Sequence, residues 1–311
     1  MQTRKEFLKN TAAAAIGLAA APSFAFARKA APAFTISLAE WSLHTQLFAK
    51  QISNLDFPRV CREKFGIGVA EYVNQFFKDK ANDTKYLADL LQRCKDNGVK
   101  NHLIMIDGEG ELGSVDKTAR DTAVENHYKW VDAATYLGCA TIRVNAAGKG
   151  SREEVAKAAT EGLIKLGEFA GKSGINVIVE NHGGFSSDGG WLSGVLKGTG
   201  RKNIGALPDF GNFCITRNAD HSCKEEYDRY QGTKELMPYA KGVSAKSLDF
   251  DEAGNCVETD YNKMLKILKD ANFNGYVGIE YEGSKIGEEE GIIKTKALLE
   301  KTAKAVGYKI S

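Results

Sequence analysis

Five short apolar runs of the chain end in side chains that could do chemistry. "TIRVN" delivers Arg143 and Asn145, and "VIVENHGG" delivers Glu180, Asn181 and His182 directly after β-branched residues and before two glycines. "LPDFGNF" supplies Asp209 and Asn212, "GVSAK" supplies Ser244 and Lys246, and "GIEYEG" supplies Glu280 and Glu282. Any one of these groups has an ordinary use, such as pairing with a nearby lysine or capping the next helix. Several carboxylates brought to one place repel each other unless a cation or a ligand compensates them. Whether they come together depends on the elements that carry them.

Those elements repeat one unit. β-rich runs occur at 34–38, 68–73, 101–106, 141–145, 176–180, 203–209, 242–246 and 275–280. Segments of helical period lie between them. In "SREEVAKAATEGLIKLGEFAGKSG", Val155, Ala159, Leu163, Leu166 and Ala170 share a face. Ser151 with Glu154 reads as a capping box, and Gly171 and Gly174 as the stop. In "NDTKYLADLLQRCKDNG", Asn82 is the cap candidate, Leu87, Leu90, Leu91 and Cys94 form the stripe, and Asn97–Gly98 end it. Eight βα units in one domain-sized chain predict an α/β fold, a single-domain (β/α)8 TIM barrel. The competing open sheet with a dinucleotide site lacks its Gly-rich GxGxxG turn. In such a barrel the chemistry sits at the C-terminal ends of the strands, where these polar residues fall.

The first 27 residues are read apart from the barrel. "TRKEFLK" gives a cationic start, Thr11–Phe26 an apolar stretch, and "AFA" at Ala25–Ala27 a cleavage pattern. This predicts an export signal over 1–27, of twin-arginine (Tat) type with Lys5 in place of the second arginine, and a mature barrel over 28–311 in the periplasm. The apolar stretch is shorter than the roughly 20 residues that span a bilayer, so stable membrane insertion after cleavage is not expected. Removing 1–27, with Arg4, Lys5 and Lys9 against Glu6, takes the formal charge from +2 to about zero. Neither nucleic acid nor an acidic membrane is then the expected partner.

From about residue 34 to the C-terminus the chain resembles the xylose-isomerase-like barrels. This is the group of sugar phosphate isomerases and epimerases that includes ketose 3-epimerases and, more distantly, endonuclease IV. "VENHGG", "LPDFGNF", "AKGVSAKS" and "IEYEG" carry the resemblance. It implies a divalent metal held at Glu180, Asp209, Glu280 and, weakly, Ser244, which stands where ketose epimerases have a histidine. Asn212 likewise stands where they carry another histidine. Three carboxylates and a hydroxyl suit Mn²⁺ or Mg²⁺ better than Zn²⁺. His182 is a candidate replacement ligand, or else it orders its loop.

Two carboxylates and a metal suit proton transfer next to a carbonyl, through an enediolate. By the resemblance, Glu180 and Glu280 are the proton-transfer pair, and Lys246 steadies the developing oxyanion. His182, Asn145, Asn212, His44 and Glu282 are the expected contacts to a small carbohydrate. The expected activity is that of a metal-dependent sugar isomerase or epimerase. Two alternatives stay open: a periplasmic lyase or hydrolase acting on 3-keto-glycosides, since a leaving group β to the carbonyl diverts the same intermediate, and a sugar-binding barrel that has lost catalysis.

The chain has five histidines, at 44, 102, 127, 182 and 221, too few at the rim for a trinuclear zinc nuclease. His127, beside Trp130, reads as a packed or surface residue. Trp41, Tyr72, Phe76, Trp191, Phe210 and Tyr281 are near strand ends and are candidates to stack on a sugar. The cysteines at 61, 94, 139, 214, 223 and 256 lack zinc-site spacing and read as small core residues, with one disulfide admissible in an exported chain.

Overall fold

The computed structural model describes residues 31–311, so the export-signal reading of residues 1–27 lies outside the described residues. Eight parallel strands form the barrel: β1 (Ala33–Ala39), β2 (Val69–Val73), β3 (Lys100–Met105), β4 (Thr141–Val144), β5 (Asn176–Glu180), β6 (Ile204–Leu207), β7 (Val243–Ser247) and β8 (Gly275–Tyr281). Helices α1 (Phe57–Phe65), α2 (Thr84–Asp96), α3 (Lys117–Leu137), α4 (Arg152–Gly171), α5 (Gly189–Thr199), α6 (Arg229–Leu236), α7 (Tyr261–Asp270) and α8 (Glu288–Val306) follow them one by one. Each predicted strand is present.

Pairing runs β6-β5-β4-β3-β2-β1-β8-β7, and isolated bridges Ala206↔Ala240 and Asp209↔Ser244 join the two ends. At this seam the Pro208 carbonyl accepts from the Ser244 N–H at 2.9 Å, and the Ser244 carbonyl accepts from the Phe210 N–H at 3.1 Å. The seam therefore fixes Asp209 and Ser244 side by side.

Local chemistry explains the helix ends. The Ser151–Glu154 capping box starts α4 as predicted. The cap of α2 is Asp83 rather than Asn82, because the Asp83 carboxylate accepts from the Tyr86 N–H at 3.0 Å. Gly138 closes α3 in the left-handed region at φ 74°, where a Cβ is costly.

Burial divides by the period-two alternation of the strands. One set packs outward under the helices in a large apolar core that includes Phe34, Leu38, Ile142, Val177 and Val179. The other faces into the barrel, where Ala39, Val73, Leu103, Met105, Ile178 and Leu207 form a small apolar cluster. Beside it stand inward polar groups. Glu71 is buried, and its Oε1 accepts from Ser37 Oγ at 2.5 Å. A Cβ on Gly278 would come within 2.6 Å of Glu71 Oε2, so glycine is what lets this carboxyl fit.

Between β6 and α6 the chain makes an antiparallel hairpin, Cys214–Arg217 against Cys223–Glu226, closed by a Cys214–Cys223 disulfide. These two cysteines are therefore not core residues, whereas Cys61, Cys94, Cys139 and Cys256 are buried thiols. Among the described residues no helix is long and apolar enough to cross a membrane.

Candidate active site

The C-terminal ends of β5, β6 and β8 bring Glu180, Asp209 and Glu280 together, with one oxygen of each within 4.8 Å of the others and all three side chains buried. Strand ends hold the glutamates, and a local turn holds the aspartate. Asp209 Oδ1 accepts the N–H groups of Gly211 (2.8 Å) and Asn212 (2.7 Å). Asn181 clamps the same turn. Its amide donates to the carbonyls of Asp209 and Asn212, and its oxygen accepts the Asp209 N–H. A Cβ at Gly211 would press on the Lys246 stem at 3.0 Å, so glycine gives the lysine its room.

Ser244 Oγ lies 2.6 Å from both Asp209 Oδ2 and Glu280 Oε2. One hydroxyl carries one proton, so it can donate to only one of the two carboxylates. The other contact needs a proton on a carboxyl, or a cation nearby. The expected weak ligand is thus occupied as a bridge between two of the expected strong ones.

Two buried cations face the cluster. Arg143 Nη1 donates to Asp107 Oδ1 at 2.8 Å, and Arg143 Nε stands 2.8 Å from Glu180 Oε2 at an angle outside that of a hydrogen bond. Lys246 Nζ pairs with Glu282 Oε1 at 3.1 Å and donates to Asn212 Oδ1 at 3.3 Å. Lys246 therefore bridges to Glu282, not to Asp209 or Glu180. Asn212 ties the two halves together, since its Nδ2 donates to Glu180 Oε1 at 3.0 Å.

Burial is the largest influence on each carboxyl, and the neighbours decide the result. It pushes Glu180 and Asp209 up to about 7 despite Arg143 and Lys246. Burial would raise Glu280 as well, but Lys246, the Ser244 bond and Arg143 hold it below the ordinary carboxylate value. Burial opposes the charge on Lys246 and Arg143, yet the surrounding carboxylates keep both pKa values above their usual range.

Above the cluster opens a cavity of about 590 Å³. His182, Asn212, Lys246, Glu280, Glu282 and His44 line it. Asn145 is set one step back, donating to Asp107 Oδ1 at 2.7 Å while its Oδ1 lies 3.1 Å from His182 Nδ1. His182 is outside the carboxylate cluster, held by Asn145, and desolvation together with Arg143 and Lys246 keeps its pKa low. His44 Nδ1 lies 2.8 Å from the Trp41 carbonyl. Of the candidate stacking aromatics only Trp41 lines the cavity, with Phe76 beside it. Tyr72, Phe210 and Tyr281 are fully buried, and Trp191 bonds the Arg152 carbonyl. His127 is packed in α3 with Nδ1 2.7 Å from the Ala123 carbonyl, and His102 is buried near Tyr276.

Asp107, Gln75 and Arg217 line the cavity without having been singled out from sequence. Asp107 stands two residues past β3 and was legible as a polar residue at a sixth strand end. Arg217 comes from the disulfide hairpin, for which the sequence offers no register signal.

The family described as Xylose isomerase-like TIM barrel matches residues 63–302. The chain belongs to this family. No curated protein matches it in sequence. Among solved structures, a xylose isomerase-like TIM barrel protein from Mycobacterium smegmatis in complex with magnesium superposes with a TM-score of 0.65 at 14% identity, over 88% of this chain and 98% of that one. The 3-keto-D-glucoside 4-epimerase of E. coli gives 0.62 at 16%, over 80% and 94%. D-psicose 3-epimerase, crystallised in the presence of D-fructose, gives 0.61 at 15%, over 88% and 100%. At such identities this xylose isomerase-like barrel shares a fold with these proteins.

A divalent metal fits the residues present. Glu180 Oε2 is buried with only the Arg143 cation against it and no hydrogen bond, and Asp209 and Glu280 share a single hydroxyl proton. Asp107, Glu180, Asp209, Glu280 and Glu282 outnumber the buried cations Arg143 and Lys246 around one site. With all five ionised the shortfall is positive charge, and the donors are hard oxygens.

Proposed function

We propose that this barrel is a metal-dependent sugar isomerase or epimerase that moves a carbon-bound proton next to a carbonyl. The observation that carries the reading is the convergence of Glu180, Asp209 and Glu280 on one point of the rim. The family, whose solved relatives include sugar epimerases, supports it. Glu180, Asp209 and Glu280 would hold the cation, and Ser244 would orient two of them. When bound, the cation supplies Lewis acidity toward a carbonyl oxygen and its neighbouring hydroxyl.

The chain's own residues supply the proton chemistry. Glu180 and Glu280 reach the same point of the rim from β5 and β8 and form the proton-transfer pair. Glu280, held ionised, accepts the proton from carbon. Glu180, protonated from solvent, delivers a proton to the opposite face of that carbon. Lys246 places its ammonium where negative charge builds on the substrate oxygens, and Glu282 orients it. His182 and Asn145, linked to each other, and His44 above Trp41 offer polar contacts to hydroxyls.

The leader grammar of residues 1–27 supports export of the mature enzyme to the periplasm. A panel of keto-sugars and keto-glycosides, incubated with and without Mn²⁺ and read by NMR, tests the activity. A metal-dependent epimer or aldose/ketose product is expected. Elimination products alone would make the enzyme a lyase, and inertness toward the whole panel would contradict the reading.

A further inference from the structure

Beside the catalytic cavity, across the loops that follow β1 and β2, lies a second groove of about 480 Å³ that the proposed reaction does not use. Gln75 lines both spaces, so they adjoin at its side chain. Trp41, in the wall of the inner cavity, has Phe76 and Phe48 as its outward neighbours, each with ring centroids at 6.0 Å, and these two rings are 5.2 Å apart. An aromatic surface thus leads from the carboxylates to the open edge, where Phe48 is 57% exposed. Phe48 does not sit on a loose loop. It ends the single-turn helix His44–Phe48, which Ala49 N–H to Thr45 O (2.9 Å) and Lys50 N–H to Leu47 O (3.0 Å) close, with Lys50 at φ 58°.

From this surface we infer a binding site for a second sugar ring, joined to the ring that reacts at Glu180 and Glu280. The inference rests on the carbohydrate reading above and extends it: the substrate class is a glycosidically linked sugar rather than a free monosaccharide. Aromatic faces accept the apolar C–H face of a pyranose, and the amides of Gln51 and Gln75, both in the groove lining, offer donors and acceptors to its hydroxyls. A purely apolar substituent would leave those amides unused. The shared Gln75 and the aromatic run from Trp41 to Phe48 favour an extension of the substrate over an unrelated ligand.

Calorimetric titration of the full mature chain, loaded with Mn²⁺, with glucose, maltose, cellobiose and trehalose tests this without requiring turnover. At least one disaccharide should bind about tenfold or more tightly than glucose, a difference of about 1.4 kcal/mol. Phe48→Ala and Gln51→Ala should each remove that preference and leave glucose affinity unchanged, and the exposure of Phe48 makes its loss harmless to folding. Absence of any preference, including absence of binding, overturns the site, as does a preference that survives both substitutions. Sedimentation of wild type and Phe48→Ala is run in parallel, and a dimer that Phe48→Ala dissociates would assign the face to a second copy and overturn the proposal. Loss of proton exchange with the disaccharide preference intact would remove the proposed reaction and leave this site standing.

Discussion

Ser244 Oγ stands 2.6 Å from Glu280 Oε2, and the same oxygen is equally close to Asp209. A buried hydroxyl between two carboxylates stabilises one of them by a charge-assisted bond worth about 1.5–3 kcal/mol. Ser244→Ala should therefore lower the stability of metal-free protein by about that amount in urea titration. Metal bound at saturation should persist in the variant, because the three carboxylates remain. Complete loss of metal would make Ser244 itself an essential ligand.

Asp209→Asn separates the metal site from its scaffold. The amide oxygen can still accept the N–H groups of Gly211 and Asn212, so the turn should hold while one anionic donor is lost. Metal analysis after Mn²⁺ loading should find about one equivalent in wild type and little in the variant. Equal metal in both proteins would remove Asp209 from the site.

Glu71 gives the barrel a pH dependence of definite sign. Burial, opposed by the Ser37 bond and reinforced by Glu280 and Glu180, raises its pKa to about 8. The folded state then binds more protons than the unfolded state from the ordinary carboxylate range up to about 8. Its contribution to stability is full at low pH and is lost as pH rises through that window. In EDTA, the melting temperature of wild type should fall between pH 5 and pH 8.5, and Glu71→Gln should fall less. A fall of the same size in both would show that Glu71 does not hold its proton.

Much of this arrangement is legible in the sequence, for reasons that differ by residue. The strands and the Ser151–Glu154 cap follow from period and local hydrogen bonding, and the barrel then sends Glu180, Asp209 and Glu280 to one rim. Glu71 is hidden because a single acidic residue in "GVAEYV" reads as the solvent side of a strand, whereas both faces of a barrel strand are covered. The Lys246–Glu282 pair depends on rotamers across β7 and β8, which residue type does not specify. The Cys214–Cys223 bridge and Arg217 depend on a hairpin whose register slips twice, and no alternation announces it.

The export reading predicts a mature N-terminus near Arg28, because "AFA" at Ala25–Ala27 has the small residues a signal protease needs. N-terminal sequencing of periplasmic protein checks it. Intact Met1 in soluble cytoplasmic protein, with none in the periplasm, would contradict it.

Solvent exchange tests most directly whether this rim moves a carbon-bound proton. Incubated in D₂O with Mn²⁺ and a keto-sugar it turns over, the enzyme should place deuterium on the carbon next to the carbonyl. Glu180→Gln and Glu280→Gln should each slow this by about 10²–10⁴-fold, the usual contribution of a general acid or base, while the barrel stays folded. Turnover with no deuterium at any carbon would contradict the account, and would leave both glutamates as holders of the cation alone.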